Sequence, residues 1–197
     1  LLEKLLKEFN FSTNIFNWEE FKLLTNIFER ILVSKGTFLI KEGETERYSY
    51  FVFDGILRCW LLNHNGEEQT FRFCKEGTFS MSKHIFYITK LGSFNVQTIV
   101  DSVIYRIDKK QVNELYTAIP KVKTVFEDLK CYIVEKLLKR NIDLIKYSPE
   151  QYYLQMMEEY GITLNYIPLK DIASYLGITP QALSRIRKRI FNLGSVF

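Results

Sequence analysis

The sequence is poor in the residues from which most catalytic and metal sites are made. Its 197 residues include three cysteines, two histidines and four prolines. Cys59, Cys74 and Cys131 are odd in number and far apart, with no Cys-x-x-Cys pair. That pattern excludes a disulfide framework and a cysteine-held zinc or iron–sulfur site, and it is the usage expected of a chain kept in a reducing cytoplasm. Each cysteine is expected to be a small buried hydrophobe. His64 and His84 form no His-x-His pair, which argues against a metal and against the cupin type of metalloenzyme. There is no nucleophile elbow and no phosphate-cradling glycine loop, so no catalytic residue can be named; neither an enzyme nor a cofactor is expected. Also missing are a secretory signal and an apolar run long enough to span a bilayer, so no membrane partner is expected.

What is present is an ordinary globular composition, 47% hydrophobic, with a net charge of only +4. The placement of charge says more than its sum. No acidic residue follows Asp171, whereas Arg185, Arg187, Lys188 and Arg189 crowd into a few positions. A positive field so concentrated suits a polyanion.

The stretch around that basic cluster has the pattern of a helix-turn-helix. Leu169, Ile172, Ala173 and Leu176 recur at spacings of three and four, as on one face of a short helix. Gly177 stops that helix, Ile178 plugs the turn, and Thr179-Pro180 starts the next one through a capping oxygen and a proline at the first helical position. In the second helix Leu183, Ile186 and Ile190 face inwards, while Gln181, Ser184, Arg185 and Lys188 line a polar side. Such a unit sets the start of its second helix in the DNA major groove, where glutamine pairs with adenine and arginine with guanine.

Earlier in the chain the period is that of strands. Ile31–Val33, Thr37–Ile40, Tyr48–Phe53, Ile56–Leu62, Gln69–Cys74, Val96–Val100 and Val103–Ile107 are short extended runs between turns, with Asn65-Gly66 as the clearest hairpin signal. They predict a jelly roll or barrel. Helices are predicted before it, on Leu2, Leu5, Leu6 and Phe9 and on Trp18, Phe21, Leu24 and Phe28. After it, Pro120 opens a long helix whose apolar stripe includes Val125, Phe126, Leu129 and Ile133. The expected fold class is therefore α+β: an antiparallel β-roll with flanking helices in residues 1–119, a long dimerisation helix in 120–147 and a helix-turn-helix domain in 148–197. Val125, Phe126, Leu129 and Ile133 are the expected dimer interface. Phe79, Met81, Phe86 and Phe94 are candidate lining for an effector pocket, although the same aromatics could simply fill the roll.

This order of parts resembles the Crp/Fnr superfamily of bacterial transcription regulators. Tyr50-Phe-Val-Phe-Asp-Gly-Ile-Leu, Gly43, Asn65-Gly-Glu-Glu and Gly77-Thr-Phe look like its β-roll landmarks, and Leu176-Gly-Ile-Thr-Pro-Gln-Ala-Leu-Ser-Arg-Ile looks like its recognition helix. The resemblance implies a homodimer on a near-palindromic operator of double-stranded DNA, with half-sites about 34 Å apart, and a small-molecule effector in the roll. It places Gln181, Ser184 and Arg185 at base edges, Thr179 at a phosphate, and Arg187, Lys188 and Arg189 nearer the backbone. Two features depart from the pattern. Members that bind cyclic nucleotide carry a Gly-Glu pair and then an Arg-Ser or Arg-Thr pair; here the matching stretches are Ser80-Met-Ser and Leu91-Gly-Ser-Phe-Asn-Val, so cyclic nucleotide binding is expected to be weak or lost. The two-stranded wing that usually follows the recognition helix is expected to be short or missing. The competing reading is a ligand-sensing β-roll whose C-terminal helices bind a protein partner; the basic polar stripe favours DNA.

Overall fold

The computed structural model describes residues 16–80 and 94–194. The first predicted helix, at Leu2 to Phe9, lies outside them. Helix α1 (Trp18–Asn26) begins at a capping box, in which the Asn17 side chain accepts from the Glu20 N–H and Glu20 reaches back to the Asn17 N–H. Among the described residues eight strands follow: β1 (Glu29–Val33), β2 (Phe38–Ile40), β3 (Tyr48–Asp54), β4 (Leu57–Leu62), β5 (Glu68–Cys74), β6 (Phe79–Ser80), β7 (Asn95–Thr98) and β8 (Ser102–Asp108). They form two four-stranded sheets, in the orders β1-β8-β3-β6 and β2-β7-β4-β5. The remaining helices are α2 (Lys109–Ala118), α3 (Pro120–Lys146), α4 (Pro149–Tyr160), α5 (Leu169–Leu176) and α6 (Pro180–Gly194), with a 3-10 helix at Gly161–Tyr166. This is the α+β arrangement expected. Seven of the strands stand where alternation and turn residues placed them; the two-residue β6 is too short to leave a period.

Contacts divide the chain into two compact units. One takes the described residues up to Cys59 and those from Phe73 to Glu135; the other takes Trp60–Arg72 and the residues from Lys136 on. The division runs through β4, β5 and α3. In the first unit Phe51, Val52, Leu57, Val96, Ile104 and Ile107 are wholly buried. Burying side chains of this size contributes roughly 1.5–3 kcal/mol each. Register explains the ion pairs on the sheet surface. Glu29 pairs across the ladder with Arg106, whose guanidinium donates twice to that carboxylate at 2.8 Å and lies 4.4 Å from the Tyr48 ring. Asp108 caps α2 through the Lys110 N–H and accepts from Arg47 at 2.8 Å. Cys59 and Cys74, both buried, have sulfurs 3.8 Å apart, while Cys131 on α3 is exposed, contrary to the expectation that all three are buried.

Helix α3 buries most of the residues expected at a dimer interface. Val122, Phe126, Leu129 and Ile133 are buried within the chain and Val125 is half-buried. Phe126 packs on Tyr116 and on Phe79, which also meets Phe28 and Phe51. Phe126, Leu129 and Ile133, three of the four residues expected at a dimer interface, are thus covered by the chain itself, and Val125 is covered in part. The apolar side that α3 leaves exposed carries Val134, Leu138, Ile142 and Ile145, between 45% and 89% accessible, with Cys131 on the same side.

Candidate nucleic-acid interface

Local signals build the second unit. Ser148 caps α4 by accepting from the Gln151 N–H, Gln151 returns the bond to the Ser148 N–H, and Pro149 fills the first helical position. Tyr152, Tyr153 and Met156 on α4 are buried, as are Leu164 and Ile167, and against them stand Ile172, Ala173, Tyr175 and Leu176 of α5 and Leu183 and Ile186 of α6. The Tyr152 and Tyr175 hydroxyls are 3.1 Å apart, and burial raises both above the ordinary phenol value, so the pair stays neutral.

The turn follows the sequence residue by residue. Gly177 adopts φ 72°, ψ 27°, a left-handed conformation that costs glycine nothing. Its N–H bonds the Ser174 carbonyl at 3.2 Å, and the Ile178 N–H bonds that of Ala173 at 3.0 Å, so the last carbonyls of α5 are satisfied. Thr179 then caps α6, its hydroxyl accepting from the Ala182 N–H at 3.2 Å. Pro180 opens the helix, as predicted.

The candidate contact residues fall as their spacing required. Leu183 and Ile186 are buried, whereas Thr179, Gln181, Ser184, Arg185, Arg187, Lys188 and Arg189 are all exposed. Arg189 differs from the others, since its guanidinium meets the Glu150 carboxylate of α4 at 2.5 Å. No local pattern could have found that pair, because its members stand 39 positions apart. Helix α6 continues to Gly194, and among the described residues no strand follows it. The second unit thus presents one helix face of hydrogen-bonding and cationic side chains on a hydrophobic base.

Of the candidate effector-pocket residues, Met81 and Phe86 lie outside the described residues. Phe79 and Phe94 are buried. Phe79 is at the centre of the aromatic cluster with Phe28, Phe51 and Phe126. A separate concavity of about 350 Å³ is lined by Phe38, Lys41, Glu44, Arg47, Tyr48 and Tyr50. Tyr50 closes it by donating to the Leu39 carbonyl at 2.8 Å, and burial pushes its hydroxyl up to about 12. No local pattern marks this cleft, which β2, β3 and the loop between them line. Among the described residues no three His, Cys, Asp or Glu side chains come together as metal ligands, and no helix is long and apolar enough to cross a membrane.

Residues 30–118 match the family model of the cyclic nucleotide-binding domain. No match to the chain is found among the curated proteins. Among solved structures, the chain is similar to FixK2 from Bradyrhizobium japonicum, with a TM-score of 0.74 and 16% identity over 85% of this chain and 86% of that one. It is also similar to CLP, a c-di-GMP responsive global regulator from Xanthomonas campestris, with a TM-score of 0.70 and 11% identity over 90% and 93%. A transcriptional regulator of the crp/fnr family from Eubacterium rectale gives 0.68 and 17% over 92% and 86%. At these identities the likeness establishes the fold, which the chain shares with these three solved structures.

Proposed function

We propose that this chain, built on the Crp/Fnr-type fold, is a homodimeric, sequence-specific DNA-binding regulator of transcription. The observation that carries the reading is the exposed face of α6. Gln181, Ser184 and Arg185 stand on its first turns, capped by Thr179, and the cations Arg187, Lys188 and Arg189 follow, with no acidic residue on the helix. Base edges are read by the first group and phosphates are met by Thr179 and the second. The dimer forms along the exposed side of α3, where Cys131, Val134, Leu138, Ile142 and Ile145 recur at three and four, the spacing of a two-stranded helical seam. Cyclic nucleotide binding has been lost with the arginine and glutamate that would hold the phosphate. The protein is cytoplasmic and is not an enzyme.

The division of labour on α6 gives the test. Using a duplex selected by the protein from a randomised pool, Arg185→Ala is expected to cost about 1–3 kcal/mol and to relax preference at one position. Lys188→Ala should weaken selected and scrambled duplexes alike and lower the salt slope by about one unit. Equal losses for both variants on both duplexes would refute this assignment. Failure of the wild type to enrich any duplex would favour a protein partner for these helices.

A further inference from the structure

Among the described residues strand β5 stands at the end of its sheet. Along Glu68–Thr70 side chains of the second unit bond its backbone. The Ser174 hydroxyl of α5 donates to the Glu68 carbonyl at 2.8 Å and accepts from the Thr70 N–H at 2.8 Å. One hydroxyl thus occupies the position that a paired residue's N–H and C=O would fill in a ladder. Arg140 of α3 donates to the Thr70 carbonyl at 3.3 Å and to the Tyr175 carbonyl at 2.8 Å, with its guanidinium 4.6 Å from the Tyr175 ring. The Gln69 side-chain amide completes the set by donating to the Ser174 carbonyl.

The turn of the hairpin that is held is closed by its own hydrogen bonds. The Asn63 side chain accepts from the N–H groups of Asn65 and Glu67, and the Asn63 N–H bonds the Glu67 carbonyl at 2.9 Å. On the other side, α5 is joined to α6 through Gly177, Ile178 and Thr179, whose backbone is fixed by the cap bonds already described. Between the β4–β5 hairpin and α6 there is accordingly a short chain of hydrogen-bonded parts.

We infer that Ser174, assisted by Arg140, is a positioning residue for DNA recognition: it fastens α5 to the β5 edge and thereby sets where α6 stands. The inference rests on the regulator reading above. Ser174 itself touches no DNA, and its loss should leave the salt dependence of binding unchanged.

The test compares the full chain with Ser174→Ala and Ser174→Thr by backbone amide exchange and by binding to the pool-selected duplex. Ser174→Ala is expected to speed exchange of the Thr70 amide at least about tenfold, because its acceptor is removed. It should also weaken selected-duplex binding roughly tenfold, the scale of two net hydrogen bonds, at an unchanged salt slope. Ser174→Thr, which keeps the hydroxyl, should restore both. If Thr70 exchange is unchanged in Ser174→Ala, the clasp does not form. If exchange accelerates and binding is untouched, the clasp forms and positions nothing; either result overturns the inference. Absence of DNA binding by the wild type would instead remove the regulator reading, and the Thr70 exchange would still decide the clasp.

Discussion

Gly55 shows how tightly single positions are constrained. It adopts φ 108°, and a Cβ there would run into the Ser102 side chain. Gly55→Ala therefore combines backbone strain with a clash against β8. It is expected to cost more than about 2 kcal/mol, measured as a fall in the denaturation midpoint at unchanged m-value. Gly177→Ala meets nothing within 4 Å and suffers only the left-handed backbone, so about 1 kcal/mol is expected. A larger loss at Gly177 than at Gly55 would contradict this ordering. The acid limb of stability is also set by individual residues. Hydrogen bonds from Arg106, Arg47 and Lys121 hold Glu29, Asp108 and Glu20 below the usual carboxylate range. For a depressed folded pKa the stabilisation is present above the unfolded value, about 4, and is lost as pH falls through the folded one. The melting temperature should thus hold above about pH 5 and decline below about pH 4, and Arg106→Gln should flatten part of that decline by returning Glu29 to its ordinary range. An identical acid limb in Arg106→Gln would remove Glu29 from the account. At this scale the exposed polar side of α6 was legible, because helical spacing fixes which side chains share a face. Arg189 was read as one cation among four; that Glu150 engages it depends on folding and leaves no local mark.

Helices and strands whose ends carry their own chemistry were legible in advance. Thr179-Pro180 starts α6, Gly177 ends α5 and Pro120 opens α3, because caps and breakers act within one turn. Helix α3 shows where such reading stops. Its sequence carries apolar residues on two sides, and periodicity cannot say which side the chain covers itself. The aromatic cluster around Phe79 decides the matter by burying Phe126 and its neighbours. Leu138→Glu combined with Ile142→Glu should then convert the dimer to a monomer of 23.4 kDa in sedimentation, with the helical signal retained. Equivalent positions meet across the seam of a parallel pair, so a short bis-maleimide should link exposed Cys131 to its counterpart and spare buried Cys59 and Cys74. A wild-type chain that sediments as a monomer would remove the α3 seam from the account. The Ser174 clasp was likewise illegible, since an edge strand's choice of partner lies more than a hundred positions away in sequence.

For the whole molecule, the reading proposed above assigns sensing to the β-roll and DNA binding to the helix-turn-helix. Residues 77–96 contain no arginine. Without an arginine to meet a cyclic phosphate, neither cyclic AMP nor cyclic GMP should raise the melting temperature at millimolar concentration, whereas a ligand present at a hundred times its Kd would add about 2.7 kcal/mol. A clear upward shift with either nucleotide would show that another cation supplies the contact. The measurement that bears most directly on the central claim is titration of the wild-type chain against the pool-selected duplex and a scrambled duplex of equal length, across a salt series. The account predicts two protomers per selected duplex, a preference of at least about a thousandfold, and affinity for both duplexes falling steeply as salt rises. Equal affinity for the two duplexes, or binding indifferent to salt, would contradict it.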